Sequence, residues 1–360
     1  MRVERLDRPE ALADIGADWN GLITGAVTNT VFQRCEWLTS WWNAFGAGRE
    51  LAVLVVNDGG VLSAAAPLAL RSARLYGLEE RVLGFIGGDN FASDYCDFVV
   101  PAARGELLEP LLDRLAEMPD WTLLDLFNLP SESPNKRPVE EYFAARGWPV
   151  LSSVLYDAPT CILGDSAAAQ ALINRKSLKR HYNYFARGGG LECLHLTKPD
   201  EIEPWLPAFY EQHRRRWRES AGSIFDQPDQ RRFYDTLVRR MEPEAGLRFT
   251  VVLHRGAAIA FHLGFDYAGR FIWYKPSFDI ALKQQSPGEV LLRFLFQYAI
   301  ERGLKEFDFT VGSEPFKYRF ANHIRTCSRV RVYRRRLSYR LERARQAAGA
   351  AKRTVLRALE

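Results

Sequence analysis

The chain has 360 residues, 47% of them hydrophobic and 12% aromatic, which is too long for one ordinary domain and enough apolar side chain for two buried cores. Residues 331–360 carry net +8 against +5 for the whole chain, so residues 1–330 are net −3; with no basic stripe interleaved with aromatics, they exclude a nucleic-acid-binding core. Five scattered cysteines, six dispersed histidines and a longest aliphatic run of Leu51–Val56 exclude a disulfide framework, a zinc site and a membrane-spanning helix, and no metal is expected.

In chain order, the N-terminus has no apolar signal-peptide core, so a cytoplasmic protein is expected. Glu50–Asn57 reads as a strand, Asp58-Gly-Gly60 as a hairpin turn, and Val61–Leu70 as the returning strand. Gly105-Glu-Leu-Leu108 opens an apolar helix, and Trp-Thr-Leu-Leu-Asp125-Leu reads as a strand. Leu151–Cys161 reads as another strand. Asn174–Arg187 is a basic and aromatic helix stopped by three glycines; a solvated face explains it, and an anionic glycan or nucleotide-linked sugar is the alternative. Leu247–Leu253 and Ala257–Phe265 flank His254-Arg-Gly256 as a second hairpin, and Phe271–Phe278 is an aromatic strand. Next, Ser286-Pro-Gly288 opens an apolar helix through Val290, Leu291, Leu292 and Leu295, and Asp308 sits in a later apolar strand. The last segment, Ser338–Leu359, reads as a helix. Leu337, Leu341, Ala344 and Ala348 recur on one side of it, and Val355, Leu356 and Leu359 form a second apolar set, with arginines among them.

The order hairpin, strand, helix, strand occurs twice. Gly105-Glu-Leu-Leu108 lies against Gly288-Glu-Val-Leu291 and Asp125 against Asp308, both at an offset of 183. The first copy has Ala102 where the second has Gln285, and Arg104 where it has Pro287.

Pro287 suits a first helical turn, and Gly288 lets a ligand approach the backbone. A strand, a Ser-Pro-Gly turn and a helix start leave N–H groups free at the positive end of a helix dipole, which suits a phosphate. An ordinary start with Ser286 as N-cap is the plainer reading. Gln285-x-x-Gly288-x-Val290 resembles the loop with which GNAT-superfamily acyltransferases hold the pyrophosphate of acyl-coenzyme A, although Val290 stands where Gly or Ala is usual. The segments Phe32-Gln-Arg-Cys-Glu-Trp-Leu-Thr-Ser-Trp-Trp42, Ala66-Pro-Leu68, Ser93-Asp-Tyr-Cys-Asp97 and Asp308-Phe-Thr-Val-Gly-Ser-Glu-Pro-Phe-Lys317 are similar to the CelD (BcsL) branch, tandem GNAT proteins related to FemAB transferases.

That resemblance implies an α/β fold (α+β mixed sheet) of two tandem GNAT-like domains. The domains would be a degenerate copy over 1–160, an acyltransferase domain over 161–333 and a basic helical tail over 334–360. It implies an acyl-coenzyme A donor on Gln285, Ser286, Gly288, Glu289 and Val290, with a backbone N–H of Ile272–Phe278 polarising the thioester carbonyl. Pro276 marks a break in that strand. As catalytic residues it offers Glu314 as base, with Asp308 as the rival whose burial would raise its pKa, and Tyr318 as the acid for the leaving thiolate. Lys317 and His262 are the substrate-binding candidates. The expected acceptor is an amine or hydroxyl of a sugar, cell-envelope or exopolysaccharide precursor. FemAB-like aminoacyl transfer from tRNA and a decayed accessory protein of polysaccharide biosynthesis are the rivals. The basic tail would contact an acidic surface or the inner membrane face, and no nucleic-acid partner is expected.

Overall fold

Stretches rich in Val, Leu, Phe and Tyr form the strands, and runs with apolar residues three and four apart form the helices between them. The computed structural model describes residues 1–90, 92–164, 166–218, 222–241 and 245–359, with side chains described outside 166–168 and 349–359. The strands are β1 (Arg2–Leu6), β2 (Arg49–Leu51), β3 (Val53–Asp58), β4 (Val61–Ala66), β5 (Leu68–Leu75), β6 (Leu78–Phe85) and β7 (Leu123–Pro130). They continue with β8 (Val150–Ile162), β9 (Leu191–Leu196), β10 (Leu247–His254), β11 (Ala257–Tyr267), β12 (Arg270–Phe278), β13 (Glu306–Asp308) and β14 (His323–Tyr333). The helices used below are α1 (Cys35–Phe45), α2 (Leu108–Glu117), α3 (Lys176–Ala186), α4 (Leu206–Trp217), α5 (Pro228–Arg240), α6 (Pro287–Glu301), α7 (Pro315–Phe320) and α8 (Arg336–Leu359).

Two compact units interleave in sequence: residues 1–35, 46–155 and 327–360 make unit 1, and residues 36–45 and 156–326 make unit 2. In unit 1, β1, β3 and β4 form a small antiparallel sheet, and a larger one runs β2-β5-β6-β7-β14 to the first part of β8. Two strand expectations change here: the strand expected over Glu50–Asn57 is broken at Ala52 into β2 of the larger sheet and β3 of the small one. The strand expected over Val61–Leu70 is cut at Pro67, which has no N–H for a ladder, so β4 and β5 lie in different sheets. Leu108, Leu111, Leu112 and Leu115 of α2 are all buried at helical spacing against Leu83, Leu124 and Trp121. Each such leucine contributes about 1.5–3 kcal/mol through burial.

In unit 2 the order is the second part of β8, then β13-β12-β11-β10-β9, with β12 and β13 parallel and the other pairs antiparallel. The core places Val290, Leu291, Leu292, Leu295 and Phe296 of α6 against Phe271, Trp273, Phe307 and Phe309. Helix α1, early in the chain, serves this unit. Its Trp37 meets the rings of Phe233 at 5.2 Å, Tyr274 at 5.6 Å and Phe265 at 5.8 Å.

The repeated pattern is strand, helix, parallel strand: β6-α2-β7 in unit 1 and β12-α6-β13 in unit 2. Asp125 and Asp308 occupy the second strand of each, as the offset of 183 anticipates. The first hairpin does not correspond to the second, however: β3 and β4 belong to the small sheet, while β10 and β11 belong to the large one.

Helix α8 begins near the expected place but docks by a different face. Leu337 is 56% exposed, and Ala344 and Ala348 are exposed, whereas Ser338 and Glu342 are buried. Glu342 pairs with Arg331 at 2.9 Å and also binds Tyr76, and Ser338 donates to Glu80. The side chains of Val355, Leu356 and Leu359 lie outside the described residues. Among the described residues no helix is long and apolar enough to cross a membrane.

Candidate functional site

Strands β12 and β13 pair over only three positions, Arg270↔Glu306, Phe271↔Phe307 and Ile272↔Asp308. Beyond Ile272, β13 ends while β12 runs on to Phe278 beside β11 alone. A groove of about 300 Å³ lies along this free length of β12, walled by Trp273, Pro276 and Phe278, by the start of α6, and by Phe316 and Arg319 of α7.

The chain reaches α6 through a short 3₁₀ stretch. The Asp279 carboxylate accepts the Ala281 N–H at 3.0 Å and starts that stretch, and Ser286 then turns left-handed (φ 54°, ψ 58°) into Pro287. Ser286 stands at the cap position, yet its side chain makes no capping bond, so the Ser286 N-cap is not realised. A Cβ on Gly288 would lie 3.2 Å from the Phe278 ring, so this glycine lets the first turn of α6 press on the strand. Ser286, Gly288 and Glu289 line the groove. Val290 is fully buried in the core behind them, so the side chain expected at the cofactor loop points elsewhere. Gln285 ends the 3₁₀ stretch half-buried and is not part of the groove wall.

Three cations line the groove: Arg216, Lys283 and Arg319. Arg319 holds Glu289 at 2.8 Å, and His181 stands 3.8 Å from the other oxygen of that carboxylate. That second oxygen, Oε2, is buried without a hydrogen-bond partner among the described residues. Arg216 donates to the Pro276 carbonyl at 2.9 Å and lies 4.4 Å above the Phe278 ring. Burial pushes its pKa down to about 10, which leaves it cationic at neutral pH. Neither Arg216 nor Lys283 has an ion pair among the described residues.

The remaining expected residues lie around this groove rather than in its wall. His262, expected to face a cleft, is fully buried. It stacks on Trp273 at 5.1 Å, and its Nε2 accepts the Tyr274 N–H at 3.2 Å. The β11–β12 register shifts between Leu263 and Phe265, and the imidazole satisfies a strand N–H beside that irregularity. Burial pushes its pKa down to about 3, so it stays neutral. The same bond engages the Tyr274 N–H, one of those expected to polarise a carbonyl. Asp308 is buried and accepts the Thr310 N–H at 2.8 Å, where Thr310 is left-handed (φ 57°). That bond holds the turn.

On α7, Phe316 and Arg319 share one face and meet the groove, whereas Lys317 turns inward and Tyr318 outward. The Lys317 amine is buried, donating to the Val311 carbonyl at 2.8 Å and pairing with Glu314 at 3.0 Å. Glu314 precedes α7 with its side chain half exposed. Tyr318 is 39% exposed and donates to Asp157 at 2.5 Å, a bond that raises the phenol pKa and keeps it protonated. Sequence reasoning missed Arg216, Lys283, Arg319 and Phe278. A signal existed for Arg216, in the run Arg214-Arg215-Arg216-Trp217, but only the fold separates it from its solvated neighbours.

Residues 174–318, which contain every groove-wall residue except Arg319, match the acetyltransferase (GNAT) domain. Residues 174–318 therefore carry a GNAT acyltransferase domain, the chain is an enzyme of that type, and its fold is mixed α/β. Among solved structures it is similar to FemX, with a TM-score of 0.64 and 10% identity over 95% of this chain and 99% of that one. It is also similar to the C-terminal domain (DUF2156) of a putative lysylphosphatidylglycerol synthetase from Agrobacterium fabrum, at TM-score 0.52, 10% identity, 92% of this chain and 94% of that one. L-PGS from Bacillus licheniformis has TM-score 0.52 and 11% identity over 91% of this chain and 93% of that one. At such identities the likeness concerns the fold. No curated protein matches the sequence.

Proposed function

We propose that the protein transfers an acyl group, in the first instance acetyl, from acyl-coenzyme A to an amine or hydroxyl of a sugar-based envelope or exopolysaccharide precursor, in the manner of CelD/BcsL-like proteins. The observation that carries this reading is the groove itself, which opens where β12 leaves β13, is closed by the start of α6, and is lined by three cations. Lys283 and Arg319, with the Ser286–Gly288 backbone at the helix start, would hold the pyrophosphate. Trp273, Phe278 and Phe316 offer apolar walls to the pantetheine arm, and Arg216 keeps the Pro276 segment of β12 in place through its carbonyl. The donor itself supplies an activated thioester. Within this reading Glu314 takes the acceptor proton, and Tyr318, held protonated by Asp157, returns one to the thiolate.

Thiol release from acetyl-coenzyme A in the presence of amino-sugar and sugar-phosphate acceptors tests the reading. Release is expected, with Glu314→Gln and Tyr318→Phe each about a hundredfold or more lower in kcat at unchanged donor affinity. Aminoacyl transfer from charged tRNA without thiol release would replace it with the FemAB-like reaction. Neither activity would leave a decayed accessory protein.

A further inference from the structure

The large sheet of unit 1 has a second face, opposite the leucines of α2, on which side-chain size and charge are distributed unevenly. Strand register sets Ala69 beside Gly84, Gly84 beside Asp125, and Asp125 beside Arg331 across four neighbouring strands. The two smallest residues thus make a trough in the middle of the row. Gly84 keeps it open for a backbone reason, because a Cβ there would sit 2.8 Å from the Asp125 carbonyl oxygen. A cavity of about 240 Å³ fills this trough, with Phe127 in its wall.

Arginines stand on both sides of the trough. On one side Arg49 and Arg71 are direct cross-strand partners, an arrangement in which like charges repel. Both converge on a single carboxylate oxygen, Asp89 Oδ2, at 2.8 and 2.9 Å. On the other side Arg329 grips the buried Asp125 through two bonds, at 2.6 and 2.5 Å, and lies 5.2 Å from the Phe127 ring. Three guanidiniums face two carboxylates, so the wall of the cavity is net +1. Each guanidinium has five N–H donors in a fixed fork; the bond to Asp89 uses one from Arg71, and the bonds to Asp125 use two from Arg329. A sheet face needing only stability would place an acid opposite an arginine; pairing Arg49 with Arg71 across one acid concentrates donors instead.

We propose that this trough is a binding site for a phosphate-bearing small molecule of sugar-phosphate size. A phosphate has enough acceptor oxygens to take N–H bonds from more than one arginine fork. The cavity volume, at about 30 Å³ per displaced water, accommodates a small polar molecule and not a whole dinucleotide. The site lies wholly within unit 1.

Calorimetric titration of the full chain with glucose 1-phosphate tests it, with glucose and inorganic phosphate as the comparison ligands. The expected result is saturable binding of the sugar phosphate, competition by inorganic phosphate, and no binding of glucose. Arg71→Ala should weaken binding about tenfold or more, while Arg319→Ala, in the other unit, should leave it within about twofold. Should Arg71→Ala fail to fold, Arg71→Lys decides, since losing the fork while keeping the charge is expected to weaken binding about threefold. No binding by the wild-type chain, wild-type affinity in the Arg71 variant that is measured, or equal loss in Arg319→Ala would overturn the proposal.

Discussion

Val290 shows how one residue changes meaning between sequence and structure. In the loop pattern it stands where a smaller residue is usual, which suggests crowding of a cofactor. In the fold it is fully buried among Leu291, Leu292, Leu295 and Phe296, with no part in the groove wall. Its β-branched side chain serves the core, so Val290→Ala should destabilise the protein by about 2 kcal/mol through lost burial and a residual cavity. Chemical denaturation would read this, and coenzyme A affinity at temperatures below unfolding should be unchanged. A variant with wild-type stability and altered affinity would return Val290 to the loop. The same distinction applies to His262 and Asp308. Both are polar residues in apolar strands, which is a sound signal of a special role, and each accepts a backbone N–H beside an irregularity. A sequence shows that a polar group is embedded in a strand; it does not show whether its partner is a substrate or the chain itself.

At the scale of elements, helices and strands were legible because their periodicity is local. The helix α6 start, the aromatic strand β12 and the Asp308 strand all lie where the pattern put them. What the pattern did not resolve was which elements pair: the split at Pro67 and the face by which α8 docks both depend on neighbours distant in sequence. Helix α8 attaches through Glu342, buried between Arg331, Arg345 and Tyr76. Burial works to raise the pKa of this carboxyl, but hydrogen bonds from Arg345 and Tyr76 and the charge of Arg331 outweigh it and hold it at about 2. A carboxyl depressed in the folded state stabilises fully above its ordinary range, near 4.5, and loses that contribution as pH falls toward 2. Docking of α8 should therefore weaken across that interval. Limited proteolysis at Arg340 and Arg343 would report it at neutral pH, where Glu342→Gln should already be cut faster than wild type. Equal cleavage of the two would show that the ion pairs do not hold the helix.

At the scale of the whole molecule, the strand–helix–strand repeat could be read from order and offset and the mixed-sheet class from the family resemblance, whereas the interleaving of the units could not. Residues 36–45 belong to the unit formed by residues 156–326, and Trp37 fills a space bounded by Phe233, Phe265 and Tyr274. A fragment of residues 156–326 alone should therefore expose these rings and lack a cooperative thermal transition, because removing a buried tryptophan costs about 3–5 kcal/mol even before the rest of its helix is lost. A sharp transition in the isolated fragment would contradict that dependence. The groove between the free length of β12 and the start of α6 is the centre of the functional account, and its cations give it a direct test. Coenzyme A titrated calorimetrically into the full chain should bind at one site, with Lys283→Ala and Arg319→Ala each weakening it about tenfold. Absence of binding by the wild-type chain, or affinities indifferent to both substitutions, would contradict the account.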